Sequence, residues 1–284
     1  MRIIEKVSEM QQQADAWRRE GKRIALVPTM GYLHQGHLDL LRAARRLGDL
    51  TLMSIFVNPS QFGPGEDYQS YPRDLDRDIR LATEVGTDVA FVPLSEEVYP
   101  EGYQTHVEVT EVTRNLCGRS RPVFLRGVAT VVTKLFHIVK PHAAVFGEKD
   151  FQQLVTIRRM VRDLNMDVDI VGHPIVRESD GLAMSSRNVY LSAEERGKAL
   201  RLNLALKEAQ SLIDKGERQS DPILARVREV LQPGEDVRID YAQLCRPDTL
   251  EDVARIDDFA LLALAVRIGA TRLIDNRLLS ARSS

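Results

Sequence analysis

The chain has 284 residues, of which 43% are hydrophobic and 28% charged, and its formal net charge is −2. That balance predicts a soluble globular protein with an ample core and argues against a general nucleic-acid binder, which would carry a basic surplus. At about 150 residues per domain the length predicts two domains.

Met1–Gly21 reads as a short strand and a polar amphipathic helix packed down by Trp17. It lacks the apolar core of a signal peptide, and no run of about 18 apolar residues follows anywhere, so a cytoplasmic protein with no membrane partner is expected. Ile24–Leu41, IALVPTMGYLHQGHLDLL, reads as strand, turn and helix. Ile24–Val27 is an apolar run of strand length, and Pro28, which has no N–H, is expected to end it. Gly31 and Gly36 allow tight turns and close approach of a ligand. Leu38, Leu41, Ala44 and Leu47 recur at helical spacing and leave Arg42, Arg45 and Arg46 for solvent. Leu50–Val57 is almost continuously apolar, as in a strand buried on both faces of a parallel sheet. Asn58–Pro72 is a loop rich in Gly and Pro; Asp74–Val85 has helical periodicity, and Val89–Val92 is strand-like.

Thr105–Val109 alternates like a strand, and Arg119–Arg126 reads as a basic loop. Val128, Val131, Val132, Leu135 and Ile138 line one stripe of a helix over Val128–Val139. Ala143–Phe146 is a buried strand, Gln153–Leu164 a helix and Val168–Val171 a strand. Alternating strands and helices predict an α/β fold, a Rossmann-like doubly wound parallel sheet, with ligands beyond the carboxyl ends of the strands and the loops after Val27 and Val57 on that rim. The pattern changes over Val176–Leu191. Ser192-x-x-Glu195 is a capping box opening a long helix; a second helix and strand-like runs at Val237–Leu244 and Leu261–Val266 complete a smaller α+β C-terminal domain. The division expected is 1–175 and 176–284. Cys117 and Cys245 fit no metal or redox spacing and read as inert thiols in a reducing compartment.

His34 and His37 stand at the mouth of the helix that follows the first central strand. A helix N-terminus exposes unpaired N–H groups and carries partial positive charge, so an anion is stabilised there, and two imidazole donors would make a phosphate cradle. Two other readings remain open: a histidine capping a turn, and half of a zinc site that lacks further ligands nearby. Neither GxxxxGK[ST] nor GxGxxG occurs.

PTMGYLHQGHLDL resembles the PTMG-x-LH-x-GH segment of the pantoate–beta-alanine ligases, and its HQGH is similar to the HIGH motif of the nucleotidyltransferase superfamily, which includes class I aminoacyl-tRNA synthetases. FVNPSQF, YPRDLDRD, RGVATVVTKLF, FGEKDFQQL and DGLAMSSRNVYLS follow in that family's order over essentially the whole chain. The resemblance implies an ATP-dependent condensation of (R)-pantoate with beta-alanine to give pantothenate, AMP and pyrophosphate through a pantoyl adenylate. It also implies Mg2+ carried with ATP, a homodimer, and a nucleotide- and pantoate-binding N-terminal domain with a C-terminal lid. Leu116–Arg126 and the segment near Thr105 are the two stretches considered for the dimer contact.

Carried over residue by residue, the resemblance gives ATP binding to Met30, Gly31, Tyr32, Leu33, His34, Gln35, Gly36 and His37, to Gly147, Glu148, Lys149 and Asp150, to Val176, and to Met184, Ser185, Ser186 and Arg187. It gives catalysis to His37 and His34, with Lys149 and Arg187 as cations for the phosphates. Pantoate falls to Gln61 and Gln153, and beta-alanine to Gln61. By residue chemistry alone Gln61, and Asn58 with it, reads as a surface-loop residue first. Spacing alone makes Gly147–Asp150 an exposed turn and Met184–Arg187 an ordinary polar linker; as a nucleotide segment the latter would close with Gly181 as a hinge. Asp76 and Asp78 read as a solvated helix face before they read as magnesium ligands. His106, His137, His142 and His173 read as surface or packing residues.

One departure stands out. The family usually has RPGHFRG where this chain has RPVFLRG, Arg121–Gly127, so Val123 and Phe124 replace glycine and histidine; Cys117 also stands where an acidic residue is common. A plain nucleotidyltransferase would share the histidine motif, and a non-catalytic nucleotide-binding regulator would follow if the departure disabled the site. Pyrophosphate exchange separates the three.

Overall fold

The computed structural model describes residues 1–232 and 237–281. They form two compact units: Met1–Thr110, Arg121–Glu148 and Thr156–Pro174 in the first, Glu111–Ser120, Lys149–Val155 and Ile175–Ser284 in the second. In chain order the elements are β1 (Arg2–Ile4), α1 (Val7–Arg19), β2 (Ile24–Thr29), α2 (Gln35–Ala44), β3 (Leu50–Ile55), α3 (Leu75–Glu84), β4 (Val89–Phe91), α4 (Ser95–Val98), α5 (Cys117–Ser120) and α6 (Phe124–Val139). They continue with β5 (Ala143–Gly147), α7 (Phe151–Asp163), β6 (Asp169–His173), α8 (Ala193–Asp214), α9 (Ser220–Leu231), β7 (Val237–Cys245), β8 (Phe259–Ile268) and β9 (Thr271–Ser280). Single 3-10 turns lie at Pro59–Gln61, Glu148–Asp150 and Ser186–Tyr190.

The first unit is built on a six-stranded parallel sheet in the order β1-β4-β3-β2-β5-β6. From β2 the chain winds one way through β3 and β4 and the other way through β5 and β6, so the order reverses at β2. In doubly wound sheets the crevice at such a reversal, beyond the carboxyl ends of the strands, is where ligands bind. Ile24–Val27 and Thr51–Ser54 are buried throughout, as a strand covered on both faces requires.

β2 runs two residues further than the proline predicts. The Ile24 carbonyl accepts from His142 on the β5 side, and the Thr29 carbonyl accepts from Phe56 on the β3 side. Backbone groups alternate sides along a strand, so the nitrogen of Pro28 faces β5, where the β2–β5 pairing has already stopped at Leu26. The missing donor costs nothing there. Thr105–Val109, expected as a strand, forms none: the Val107 N–H donates to Thr130 Oγ1 at 3.0 Å instead of to a neighbouring strand. Arg119–Arg126 is not a loop throughout, since α5 ends within it and α6 starts at Phe124, four residues before the predicted helix.

In the second unit α8 and α9 lay Leu202, Leu206, Ile223 and Val227 against Leu262 and Leu264 of an antiparallel sheet, β7-β8-β9. α8 opens with the predicted reciprocal cap: the Glu195 N–H donates to Ser192 Oγ at 3.2 Å, and the Ser192 N–H to Glu195 Oε2 at 2.9 Å. β9 escaped the sequence reading because buried Asp275 and Asn276 interrupt its apolar pattern. Among the described residues no helix is long and apolar enough to cross a membrane.

α6 begins against the turn at Pro59–Gln61, and Gly127 makes that approach possible. A Cβ there would lie 2.7 Å from the Gln61 Cα and closer still to the Ser60 carbonyl, both backbone atoms that cannot swing aside. Gly127→Ala is therefore expected to cost about 2 kcal/mol or more by overpacking, read as a lower denaturant midpoint at unchanged slope.

Candidate active site

The loop leaving β2 is shaped before any ligand is considered. Thr29 Oγ1 donates to the Ser54 carbonyl at 2.8 Å and accepts the Gly31 N–H at 3.2 Å. Gly31 and Tyr32 then take left-handed backbone, φ +82° and +50°. For tyrosine this costs about 1–2 kcal/mol. Asp78 of α3 compensates: its Oδ2 accepts the Tyr32 N–H and its Oδ1 the Leu33 N–H, each at 2.7 Å. Hydrogen bonds to a charged group contribute roughly 1.5–3 kcal/mol each, so the pair outweighs the strain. Asp78 is 1% exposed, which overturns its reading as part of a solvated face; Asp76 is exposed, as expected. Burial pushes the Asp78 carboxyl above its ordinary range, against the pull of the two N–H groups and Arg77.

α2 begins at Gln35, and His34 before it and His37 in its first turn cap it reciprocally. His34 Nδ1 accepts the Gly36 N–H at 3.1 Å, and His37 Nδ1 accepts the His34 N–H at 3.3 Å. The rings stack with centroids 4.0 Å apart. An imidazole accepting at Nδ1 carries its proton on Nε2, so each ring directs an N–H away from the helix it caps. The capping and phosphate readings are thus compatible, because each uses a different nitrogen. A zinc reading finds no support, since no cluster of three or more His, Cys, Asp or Glu side chains suited to a metal occurs among the described residues.

Gln61 is buried, not a surface-loop residue, and so is Asn58. Asn58 Nδ2 donates to Gln61 Oε1 at 3.0 Å and to the Gly127 carbonyl at 3.1 Å, while its Oδ1 accepts Tyr99 OH at 2.8 Å and Ser60 Oγ at 2.9 Å. Gln61 Nε2 reaches Met30 Sδ at 3.2 Å, which joins the loop after β3 to the loop after β2. Burial pushes the Tyr99 hydroxyl up to about 12, so it stays a proton donor to this network. Tyr99 and Asn58 were not legible as a pair, lying forty-one positions apart.

The departure at Val123 and Phe124 is absorbed locally. Phe124 opens α6, and the Arg121 guanidinium lies 4.0 Å from the centre of its ring. Arg121 also grips Glu66 through two bonds, Nε to Oε1 at 2.7 Å and Nη2 to Oε2 at 2.6 Å. A cation–π contact and a paired carboxylate hold the segment where the family has glycine and histidine.

Gly147 and Glu148 close β5 in the first unit; Lys149 and Asp150 belong to the second. All four are half-buried, so the exposed-turn reading fails. The Lys149 carbonyl accepts from Asn276 Nδ2 at 2.9 Å. Burial lowers the Lys149 ammonium, with Asp150 and Asp275 opposing, and Arg187 and Arg272 adding to, that shift. Asp275, also buried, takes a bidentate bond from Arg177 at 2.7 and 2.9 Å. The Val176 carbonyl accepts the Met184 N–H at 3.0 Å, so the segment from Val176 to Arg187 doubles back on itself. Gly181, at φ +96°, makes that reversal and would clash with Asn203 if it bore a Cβ. Ser185 Oγ caps the next turn by accepting the Arg187 N–H at 3.2 Å, and Ser186 is buried. Gln153 is half-buried on α7. Its neighbour Gln152, which sequence reasoning missed, ties the backbone of Val112, Asn115 and Cys117. Arg177, Asp275 and Asn276 were missed as well; the available signal was the polar pair Asp275–Asn276 set between Leu273, Ile274 and Leu278.

A model of the family described as pantoate-beta-alanine ligase matches residues 2–278. The chain belongs to the pantoate–beta-alanine ligase family. It is 67% identical over 279 residues to a pantothenate synthetase of Syntrophobacter fumaroxidans, covering 98% of this chain and 99% of that one. It superimposes on the crystal structure of pantothenate synthetase from Thermus thermophilus with a TM-score of 0.93 at 46% identity, covering both chains completely. A pantoate-beta-alanine ligase from Francisella tularensis, complexed with beta-gamma ATP and beta-alanine, matches with a TM-score of 0.79 at 31% identity over 98% of this chain and 97% of that one. The fold is that of the family, and the chain is an enzyme that joins pantoate to beta-alanine.

The Glu66–Arg121 pair makes a pH-dependent contribution. Burial alone would raise the Glu66 carboxyl; Arg121 overrides it and holds the group below its usual 4.5. A depressed folded pKa stabilises above the unfolded value and is lost as pH falls through the folded one. Glu66→Gln is expected to cost about 1–2 kcal/mol at pH 7, with the gap to the parent closing below about pH 4. Denaturant titrations at pH 7 and pH 3 check this, and an equal gap at both would refute it.

Proposed function

We propose that the enzyme uses ATP to activate pantoate as pantoyl adenylate before beta-alanine attacks. Joining a carboxylic acid to an amine in water needs an acyl group with a better leaving group than hydroxide. The pantoate carboxylate oxygen attacks the α-phosphorus and pyrophosphate departs. The neutral amine of beta-alanine then attacks the acyl carbon, AMP leaves with the bonding pair, and the amine's proton passes to solvent.

The observation that carries this reading is the reciprocal imidazole cap. Negative charge grows on phosphate oxygens in the first step, and preorganised donors aimed at that charge are the largest catalytic lever. His37, and His34 beside it, offer Nε2–H donors from the start of a helix whose dipole also favours an anion. Met30 to His37, with Gly31 and Gly36 bringing backbone close, then form the nucleotide segment of residues 1–175. Gly147, Glu148, Lys149 and Asp150, the Val176 backbone, and Met184, Ser185, Ser186 and Arg187 supply the remaining ATP contacts, with Lys149 and Arg187 as phosphate cations and Asp150 as acceptor for ribose. Residues 176–284 act as the lid. Gln61 takes pantoate and beta-alanine, and Gln153 takes pantoate.

Magnesium enters this proposal only as the counter-ion of ATP, carried on phosphate oxygens. The described residues offer no metal cluster, and both oxygens of Asp78 already face backbone N–H groups. A cytoplasmic homodimer belongs to the same reading. Two buried cysteines that form no disulfide suit a reducing compartment, and light scattering of the purified enzyme tests the dimer.

Pyrophosphate exchange into ATP is expected to require pantoate. His37→Ala should lower that exchange about 100-fold or more while ATP still binds, and Arg187→Ala should slow the same step. Exchange without pantoate, or near-parental exchange in the His37 variant, would remove the adenylate mechanism as drawn.

A further inference from the structure

Two successive residues in left-handed backbone, one of them a tyrosine, persist only where the surroundings over-determine them. Here the surroundings are one dipeptide of α3. Asp78 holds the Tyr32 and Leu33 N–H groups at 2.7 Å each, and Arg77 donates through Nη1 to the Leu33 carbonyl at 2.9 Å, its guanidinium lying 5.3 Å from the centre of the Tyr32 ring. Both polar groups of the Leu33 residue are therefore fixed from the same side. A Cβ on Gly31 would come within 2.9 Å of Asp78 Oδ2, so even the glycine is matched to the carboxylate.

The next N–H along is that of His34, and it is the donor that His37 Nδ1 accepts at 3.3 Å. We infer that Asp78 is a positioning residue for His37: it fixes the Leu33 N–H while Arg77 holds the Leu33 carbonyl, and the peptide of that carbonyl carries the His34 N–H, which selects the Nδ1-accepting tautomer of His37 and aims the opposite edge of that ring. This rests on the proposed role of His37. Asp78 touches no reacting atom; it acts through the Leu33 backbone, the peptide that follows it and one imidazole. Its two oxygens match two parallel donors, a match that an amide cannot reproduce, since asparagine would turn an NH2 toward an N–H.

The test is a double-mutant cycle on pyrophosphate exchange with the parent, Asp78→Asn, His37→Ala and the double variant. In Asp78→Asn the exchange kcat should fall about 10- to 100-fold, with the KM values for ATP and pantoate within about 3-fold of the parent. In the His37→Ala background the same change should cost less than about 2-fold, because its target is gone. A near-parental rate in Asp78→Asn, or an equal further loss in the His37→Ala background, overturns the inference in favour of a merely structural carboxylate. The 15N spectra of the imidazoles give a readout independent of turnover. His37 should leave the single Nε2-protonated form in Asp78→Asn, and also in Arg77→Met, which retains the carboxylate should Asp78→Asn fail to fold. Unchanged His37 nitrogen shifts in the folded variants also overturn it. If instead His37→Ala exchanges as fast as the parent, the functional proposal fails, while the spectra still decide whether Asp78 positions the ring.

Discussion

Two carboxylate oxygens facing two peptide N–H groups hold the least ordinary stretch of backbone in this chain. The parallel sheet brings the loop after β2 to the point where the strand order reverses, but a sheet fixes only where a loop starts. The route the loop takes is set by Asp78, reaching in from α3, and by Arg77 beside it. Once that route is set, α2 starts where its own N–H groups meet the two imidazoles. A cap worth about 1 kcal/mol in an ordinary helix here also selects a tautomer, so a modest stabilising contact acquires a chemical consequence.

Asn58 performs a similar service for the loop after β3. Its amide meets the side chain of Gln61, the backbone of α6, a serine and a tyrosine. A buried polar network of this kind is stabilising only when its members are satisfied, which fits the close approach of Gly127 and the raised Tyr99 hydroxyl. The RPVFLRG segment is tied to the same network through the Gly127 carbonyl. The substituted residues start a helix that is anchored further along, at Gly127 and Thr130, and Phe124 gains the Arg121 guanidinium in exchange.

What was legible in the sequence was whatever repeats at a fixed period or caps locally. The strand from Ile24, the stripe from Val128 to Ile138 and the Ser192–Glu195 box all depend on neighbours a few positions away. Misread features depend on partners far along the chain. Pro28 sits inside a strand because of where a strand more than a hundred residues later stops pairing. Asp78 looked solvated because helical periodicity reports a face, not what loop lies over it. Thr105–Val109 alternates like a strand yet has a threonine hydroxyl for a partner. β9 hides because its interior carries Asp275, whose partner Arg177 precedes it by nearly a hundred positions. Among the site residues, the histidines were visible from a motif, whereas the carboxylate that shapes their loop was visible only in three dimensions.

The caps bear on how the proposed chemistry divides between kinds of donor. Interactions equally strong in substrate and transition state lower KM, whereas those that strengthen as charge develops raise kcat. A guanidinium attracts a triphosphate from the outset. An imidazole whose Nδ1 accepts a backbone N–H presents its other nitrogen as a directed donor. Such a donor gains most from the charge that appears during reaction. On this view a capped imidazole suits the part of an attraction that grows as a phosphorus–oxygen bond breaks.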